Sequence, residues 1–349
     1  MLAEIDLSVL KLQDGFKVSV FARDLDSPRQ MVEGSDGTIF VAERSGQIIA
    51  LKDSDLNGQA DTKLVLIEGL AESTGISIFD GDLYFSEISS IWKINDVESL
   101  AQAESSLPLI KTLITDQLPD DAWHGWKWLQ HDADGGLYLN VGAPCNVCLS
   151  DNPKHASILR LHAGEWEYVA KGVRNSVGFD FHPDNKKLYF TDNGRDWMGD
   201  DSPSCELNRV DANGQFYGFP VKHASSIYDP EFGDQKTGYA FVDPVLELGA
   251  HVAPTGIGFY KGDMFPAQYQ NNLFIALHGS WNRSSKVGYK VLRVIFDDKG
   301  EVVKSEDFIS GWLQGEEVLG RPAAPLTLKD GSLLISDDKA NLIYRITHS

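Results

Sequence analysis

Hydrophobic and polar positions along this chain follow a recurring phrase instead of one continuous periodicity. Each copy has an alternating apolar strand, a turn built on Asp-Gly or Asn, a short strand with a large apolar residue, and then an acidic or polar residue. The six copies are centred on Phe40, Tyr84, Tyr138, Tyr189, Phe274 and Leu334. Most are followed by a further apolar strand, as in QIIALKD, SILRLHA and LIYRITH.

Six such units predict an all-β fold, a closed six-bladed β-propeller of four-stranded antiparallel blades. The reason is that each small sheet can hide its apolar faces only against its neighbours. We expect a single domain over residues 1–349, since propellers of this length form one unit. The segment GFKVSVFA around Val18 has no repeat of its own, and we predict that it joins the last blade and closes the ring.

Two segments interrupt the repeat. The segment DVESLAQAESS around Leu100 carries the best helix signal, and we predict a helix there between two blades. The extra length between Tyr189 and Phe274 contains SPSCELNRVDANGQFYGFPVKHASSIYDPEFGD, which predicts a loop excursion. Long ordered loops in compact domains tend to carry function.

The formal net charge of −20 disfavours nucleic acid and anionic membrane surfaces as partners. A surface that binds them needs enough Lys and Arg to displace counterions from phosphates. No apolar run approaches the ~20 residues of a membrane-spanning helix, and MLAEIDLSVLKLQDG has neither a basic start nor a long apolar stretch. We therefore expect a mature soluble chain without membrane insertion.

The three cysteines, Cys145, Cys148 and Cys205, cannot all pair within one chain. The Cys-x-x-Cys pair lacks the βαβ context of a redox motif, the second pair of a zinc site, and the following His of a haem site, where Leu149 stands. A local Cys145–Cys148 disulfide and two free thiols both remain open. The disulfide implies an oxidising compartment, periplasmic or extracellular.

Polar residues recur immediately before the predicted inner strands of the blades. They are Arg29, His124, Arg174, Asn175, His251 and Arg321. Equivalent positions in neighbouring blades face the same channel mouth, so these residues predict a cationic cavity for a small anionic ligand, because two or three arginines can clamp carboxylates. The alternative is that they are ordinary loop residues making surface ion pairs.

An aspartate-rich segment follows the first blade's third strand. Its candidate oxygen ligands are Asp53, Asp55, Asn57, Gln59 and Asp61. With the central Gly58 they have the spacing of a calcium loop, although the Glu that would complete an EF-hand is missing. We predict a structural calcium site between blades one and two, with a simple Asx-rich turn as the alternative.

Motifs along nearly the whole chain resemble the soluble PQQ-dependent glucose/sorbosone dehydrogenase family, especially its sorbosone dehydrogenase-like branch. They include WHGWKWL, LYLNVGAPCNVC, KGVRNSVGFDFHP, LYFTDNGRDWMGDD, HVAPTGIGFY and LFIALHGSWNRS. The resemblance implies a quinoprotein that oxidises an aldose or sugar aldehyde to the lactone or acid. It also implies pyrroloquinoline quinone (PQQ) and Ca²⁺ as cofactors and a separate electron acceptor.

By this resemblance His124 is the catalytic base, and the Arg174-Asn175 pair binds the cofactor, with Arg174 polarising the quinone. Further cofactor positions, from the resemblance or from their place at the mouth, are Arg29, Tyr228, His251, His278, Arg283 and Arg321. A family lysine has no counterpart here, so His278 or Arg283 would supply its charge.

The resemblance also assigns calcium ligands. Gly194 and Arg195 match two residues whose backbone carbonyls hold the active-site calcium, with Arg195 in place of the family's common proline. Glu206 and Tyr217 match a second calcium site of some members, with one extra residue between them.

The implied mechanism has neutral His124 taking a proton from the sugar hydroxyl while hydride passes from carbon to PQQ. A competing hypothesis is a calcium-dependent lactonase, since six-bladed propellers also host hydrolases. Such a site would need acidic and Asn side chains converging on the axis. A third alternative is a binding propeller without enzymatic activity.

Overall fold

The computed structural model describes residues 6–102 and 109–349, which form six small antiparallel sheets around a central axis. The innermost strands of most neighbouring blades contact one another around this axis. The all-β class and the six-bladed β-propeller predicted from the repeat are confirmed.

The blades follow the chain in order, each running from its innermost to its outermost strand. Blade one contains Pro28–Glu33, Ile39–Glu43, Gln47–Lys52 and Thr62–Ile67; blade two contains Ile76–Phe79, Asp82–Ser86, Ile91–Ile94 and Lys111–Thr115. Blade three contains Leu129–His131, Leu137–Val141, Ser157–His162 and Glu165–Lys171; blade four contains Phe179–Phe181, Leu188–Asp192, Ser204–Arg209 and Leu246–Ala250. Blade five contains Pro254–Phe259, Leu273–Leu277, Lys290–Phe296 and Val302–Ser310; blade six contains Pro322–Thr327, Leu333–Asp337, Leu342–His348 and the N-terminal Phe16–Ala22.

Shorter elements complete the described chain. Blades three and five each gain a fifth strand, Gln215–Phe216 and Lys11–Leu12 respectively. Two small hairpins pair Lys222–His223 with Ile227–Tyr228 and Leu313–Gln314 with Glu317–Val318. The helical elements are the α-helix Val97–Gln102 and the 3₁₀ turns Leu7–Val9 and Ala267–Tyr269.

The period-two alternation of the strands is what packs the blades together. Along the second strand of blade one, Phe40 and Ala42 pack in a cluster with residues of blade two, such as Phe85. The intervening Ile39 and Val41 pack on the opposite face, in a cluster that includes Leu334 of blade six. Each blade therefore buries one apolar face against each of its neighbours.

The N-terminal strand closes the ring, as predicted. Phe16–Ala22 pairs antiparallel with Leu342–His348, with Val18 opposite Ile346. The Phe16 ring makes edge-to-face contacts with Phe265 and Phe308, at centroid distances of 4.8 Å and 4.9 Å. Hydrogen bonds of the strand and this aromatic cluster thus fasten blade six against blade five.

Replacing Phe16 by alanine is expected to lower the free energy of unfolding by about 2 kcal/mol, because a large aromatic contact is lost at the closure. Urea denaturation followed by tryptophan fluorescence measures the change. Ser19→Ala, at an exposed position of the same strand, is the matched control. Equal effects of the two substitutions would mean that the aromatic contacts of Phe16 do not stabilise the closure.

Two local predictions were wrong in position. The helix Val97–Gln102 lies inside blade two, because the strand that follows, Lys111–Thr115, pairs with Ile91–Ile94 as the outermost strand of that blade. Residues 103–106 of the predicted helical segment lie outside the described residues. The aspartate-rich segment from Asp53 to Asp61 joins the third and fourth strands of blade one and does not connect blades one and two.

The predicted loop excursion begins later than expected. Ser204–Arg209 is a strand, not a loop, because it pairs with the second strand of blade four, placing Glu206 opposite Asp192. The excursion proper lies between this strand and Leu246–Ala250, and contains Gln215–Phe216 and the hairpin ending at Ile227–Tyr228.

The acidic residue that ends the second strand has a specific structural role in several blades. The buried carboxylate of Asp192 accepts hydrogen bonds from the backbone N–H groups of Arg174 at 2.8 Å and Asn175 at 2.7 Å. In blade six Asp337 accepts from the backbone N–H of Arg321 at 2.8 Å. Each carboxylate thereby fixes the segment that leads into the inner strand of its own blade, and with it the arginine at the channel mouth.

Candidate active site

A cavity of about 430 Å³ opens at one mouth of the axial channel. Its wall collects residues from blades one, three, four, five and six. Among the residues predicted from the sequence, those that line it are Arg29, His124, Arg174, Asn175, Gly194, His251, His278 and Arg321. The structure therefore brings the catalytic and most of the cofactor candidates to one site. Deeper in the channel, next to the residues that follow the cavity residues along the inner strands, the free space narrows to about 10 Å³.

The cavity wall is strongly cationic. Four arginines line it, namely Arg29, Arg44, Arg174 and Arg321, whereas Asp196 is the single carboxylate among the described lining residues. The Arg321 guanidinium donates to the backbone carbonyls of His278 at 3.0 Å and Gly279 at 2.9 Å, and these neutral acceptors leave its charge uncompensated. In a chain with a net charge of −20, this local excess of positive charge favours an anionic ligand.

Arg44 was not predicted from the sequence. Its guanidinium stacks over the Trp126 ring at 4.1 Å, and that of Arg29 lies 4.8 Å from the same ring centroid. Asp338, also not predicted, pairs with Arg29 at 2.6 Å and Arg44 at 3.4 Å. The tryptophan face and this carboxylate together hold two cations side by side in the wall.

His278 is not a source of positive charge. Burial lowers its pKa to about 4, although its Nε2 lies 2.7 Å from an oxygen of Asp338. Burial alone would raise the pKa of Asp338, but the positive charge of Arg29 and the hydrogen bond from His278 hold it well below its ordinary value. The neutral imidazole therefore donates Nε2–H to an ionised carboxylate, and Arg44 provides the charge that had been assigned to His278 or Arg283.

His124 lies in the wall as a neutral imidazole. Burial and, after it, the positive charge of Arg174 lower its pKa to about 3. Its Nδ1 lies 2.8 Å from the carbonyl oxygen of Ala143, so Nδ1 carries the proton and Nε2 keeps a free lone pair. The backbone at His124 is left-handed, with φ of 55°, and Gly142 leaves room for it: a Cβ there would lie 2.5 Å from the His124 Cβ.

We expect His124 to remain unprotonated from pH 7 down to pH 5 in the cofactor-free protein, because its pKa lies below that range. NMR of ¹⁵N-labelled histidines, assigned with His124→Gln, measures this directly. In urea the same imidazole should titrate near its ordinary value of about 6.5. A native-state titration midpoint near 6.5 would contradict the burial and charge effects described here.

Arg174 is held by four acceptors. Its Nε donates to the Asn146 carbonyl oxygen at 2.8 Å, and one Nη2 bond goes to the Asn146 side-chain oxygen at 2.9 Å. Nη1 donates to the carbonyl oxygen of Asn193 at 3.1 Å, and Nη2 pairs with Asp196, also at 3.1 Å. The side chain is 4% exposed, so the guanidinium is fixed in the wall of the cavity.

Several predicted residues do not line this cavity. Tyr228 lies exposed in the hairpin of the excursion, where its nearest ring contact is with Phe241 at 6.4 Å. Arg283 is turned toward the segment after blade four's second strand, donating to the Asp200 carbonyl oxygen at 2.7 Å and pairing with Asp201 at 2.9 Å. Both residues belong to loops that motif matching cannot orient.

Some of the predicted calcium ligands line the cavity, and others do not. Gly194 lines the cavity, whereas the Arg195 side chain pairs with Asp229 away from it. Glu206 is buried and accepts from the Ala224 backbone N–H at 2.7 Å, and the Tyr217 hydroxyl donates to the Arg209 carbonyl oxygen at 2.8 Å. Neither of these last two residues lines the cavity.

Within residues 6–102 and 109–349, one group of carboxylates is close enough to hold a metal through three side chains. Asp53, Asp55 and Asp61 bring one oxygen each within 4.8 Å of one another. The carboxylate of Asp53 also accepts from the backbone N–H groups of Asn57 at 3.0 Å and Gly58 at 2.8 Å, which makes the segment a compact Asx turn.

Cys145 and Cys148 form a disulfide, which decides between the two alternatives left open by the sequence. Cys205 is free and buried, and it lines the cavity beside Gly194.

Helices of membrane-spanning length and hydropathy do not occur in the described parts of the chain.

Together the fold and the site define a six-bladed β-propeller with a cationic axial cavity and a neutral histidine in its wall. The sequence matches the family described as TrAA12-like over residues 10–231 and 222–312, and the chain belongs to this family. It is 36% identical over 99% of its length to an uncharacterized protein of Borreliella burgdorferi, 92% of which is covered.

Two more distant relatives carry descriptive names. The pyrroloquinoline quinone-dependent pyranose dehydrogenase of Coprinopsis cinerea is 22% identical over 82% of this chain, which spans only 44% of that protein. The pyrroloquinoline quinone-dependent sugar dehydrogenase of Hypocrea jecorina is 22% identical over 76% of this chain and 72% of its own length.

Solved structures agree with the fold. The family AA12 enzyme of Trichoderma reesei superposes with a TM-score of 0.81 at 20% identity, covering 97% of this chain and 98% of that one. The soluble aldose sugar dehydrogenase of Escherichia coli gives a TM-score of 0.70 at 17% identity, covering 96% and 100%. The resemblance to PQQ-dependent sugar dehydrogenases is confirmed at the level of the family, and the sorbosone-like branch stays a prediction.

Proposed function

We propose that this protein is a PQQ-dependent sugar dehydrogenase. It would oxidise an aldose or sugar aldehyde, glucose- or sorbosone-like, to the lactone or acid and pass the electrons to a separate acceptor. One observation carries the proposal: a neutral histidine with a fixed tautomer and the guanidinium of Arg174 share one cationic cavity. The names of the relatives, both PQQ-dependent, support the same chemistry.

The residues of the cavity fit PQQ, a flat quinone that carries carboxylates. The four lining arginines place positive charge around the cavity, which favours binding of the PQQ carboxylates. The side-chain oxygen of Asn175 is buried and has no hydrogen-bond partner among the described residues, so a ligand donor would satisfy it. Arg29, Arg44, Arg321 and the Arg174-Asn175 pair would therefore hold the cofactor.

When bound, PQQ supplies the two-electron acceptor for the hydride of the sugar. The protein supplies the base: Nε2 of His124 accepts the proton of the reacting hydroxyl, while the Ala143 carbonyl keeps Nδ1–H in place. Arg174 contributes a fixed positive charge beside this base. The Trp126 ring lines the same cavity and carries the Arg44 guanidinium on its face, at 4.1 Å.

The proposal includes calcium because oxygen donors lie at the cavity wall. Gly194 and the carboxylate-bearing Asp196 both line the cavity, and Ca²⁺ takes oxygen ligands. Arg195 would contribute only its backbone carbonyl, so its side-chain pairing with Asp229 does not prevent ligation. We keep Asp53, Asp55 and Asp61 as a second, structural calcium site, and the Glu206–Tyr217 site stays a prediction.

A reconstitution experiment tests the function. The metal-free protein is incubated with PQQ and Ca²⁺, then supplied with aldoses and a dye acceptor, with EDTA and PQQ-free samples as controls. We expect dye reduction only when PQQ, Ca²⁺ and sugar are all present. Acid release from a sugar lactone without an acceptor would identify a lactonase instead. Absence of both PQQ binding and turnover would reject the proposal in favour of a binding propeller.

We also propose a periplasmic or extracellular location, which the Cys145–Cys148 disulfide supports, because such bonds persist in oxidising compartments. Fractionation of the producing cells followed by immunoblotting tests this. Recovery of the protein only with cytoplasmic markers would contradict it.

A further inference from the structure

One residue inside the Cys145–Cys148 loop accepts two of the four hydrogen bonds donated by the Arg174 side chain. Asn146 accepts from the Arg174 guanidinium twice, at its carbonyl oxygen and at its side-chain oxygen, at 2.8 Å and 2.9 Å. The same side-chain oxygen accepts from the Asp196 backbone N–H at 2.8 Å, and Nδ2 donates to the Asp196 carbonyl at 3.1 Å. Asn146 thus links Arg174 to the segment that carries Asp196.

Asn146 fixes the guanidinium without neutralising it. Both of its acceptor oxygens are uncharged, so Asn146 adds no negative charge to the one that Asp196 already brings to Arg174. Asn146 itself does not line the cavity; it acts through Arg174. It is therefore a candidate positioning residue and not a binding residue.

The segment that carries Asn146 has no helix or strand between residues 142 and 150. The disulfide that flanks Asn146 supplies the covalent restraint that regular hydrogen bonding does not. Cys148 also lines a second cavity, of about 500 Å³, which contains Lys171 and the Phe216 ring. Arg174 is not among the described residues that line this second cavity, and a soluble thiol can approach Cys148 through it.

We propose that Asn146 is a positioning residue for Arg174, and that the Cys145–Cys148 disulfide holds Asn146 in place and makes the cofactor site sensitive to thiol reductants. The proposal rests on the function proposed above. A dithiol would break the S–S bond and be oxidised to its cyclic disulfide, while Cys145 and Cys148 become two thiols. The freed loop then no longer restrains the guanidinium.

The first test is a double-mutant cycle on the PQQ-reconstituted protein. Asn146→Leu should lower PQQ affinity and kcat each about tenfold, the factor expected for one hydrogen bond to a charged group, with the KM for sugar unchanged. Cys145→Ser/Cys148→Ser should have a similar effect. If both act through Arg174, the triple variant equals Asn146→Leu alone. Val147→Ala, in the same loop, is the control and should match wild type.

Two outcomes of this cycle would overturn the proposal. One is unchanged PQQ affinity and kcat in Asn146→Leu. The other is multiplication of the two effects in the triple variant, which would mean that the disulfide acts on general stability. Thermal denaturation of every variant, compared with Val147→Ala, identifies any that fail to fold. Treatment of folded wild type with dithiothreitol replaces the serine variants if those do not fold.

The second test needs no cofactor. The Nε–H signal of Arg174 in ¹⁵N NMR, assigned with Arg174→Lys, should exchange slowly with water in the oxidised protein because Nε donates to Asn146. Reduction by dithiothreitol should speed this exchange at least tenfold, whereas the Nε–H of Arg160, bonded to Asp132, should not change. Unchanged exchange of Arg174 would reject the proposal. Failure of PQQ to bind wild type would reject the proposed function alone.

Discussion

Replacing His124 by glutamine is expected to lower kcat for sugar oxidation by ~10²–10⁴-fold, the range typical of a lost general base. Glutamine retains a polar side chain of similar size, but its amide group is not basic enough to take the proton that Nε2 of His124 would accept. The affinity for PQQ should stay within a few-fold of wild type, because the lining arginines are untouched. Steady-state kinetics with a dye acceptor and a fluorescence titration with PQQ measure the two quantities separately.

His162 offers the matched control for this substitution. It lies exposed at the end of the third strand of blade three and does not line the cavity. His162→Gln should therefore leave kcat and PQQ affinity unchanged. A kcat of His124→Gln within twofold of wild type would show that another group removes the proton.

Replacing Arg174 by methionine should reduce kcat by ~10²–10³-fold, as expected when a fixed charge beside the reacting groups is removed. PQQ affinity should fall as well, because methionine keeps the length of the side chain but removes one positive charge from the wall of the site. The loss also leaves Asp196 without its partner at 3.1 Å. Kinetics and PQQ titration on the same preparations measure both effects.

Arg160→Met is the control for the charge. Arg160 is also ion-paired, at 2.7 Å with Asp132, but it lies outside the cavity. We expect its activity to match wild type, with a stability loss that thermal denaturation can measure. A similar loss of activity in both variants would assign the effect to stability instead of to the site.

The ring and its closure could be predicted from the sequence because both depend on local pattern. Period-two alternation and Asp-Gly turns recur at each blade, and the segment around Val18 was left without a repeat of its own. The helix and the aspartate-rich segment were both predicted in the wrong place for one reason. Each interrupts a blade before its outermost strand, and those outer strands, Thr62–Ile67 and Lys111–Thr115, carry a weaker apolar alternation than the inner ones.

Most of the site followed from one rule, that residues before each inner strand face the mouth. This rule missed Arg44 and Asp338 because each of them follows the second strand of its blade and does not precede the inner strand. The signal was nevertheless present, since Arg44, Asn193 and Asp338 each come directly after the acidic residue that ends that strand. What no local pattern contains is the pairing between blades, such as Arg44 with Asp338, since it depends on closure of the whole ring.

Blade six combines a strand that precedes blade one in the sequence with three strands that follow blade five, and this orders events during synthesis. The strand Phe16–Ala22 leaves the ribosome early but finds its partner, Leu342–His348, only after the five intervening blades have been translated. Arg29 and Arg44 likewise meet Asp338 only then. Assembly of the mouth therefore waits for synthesis of blade six, and a nascent chain that lacks this blade has no finished receptacle into which a small molecule could be loaded.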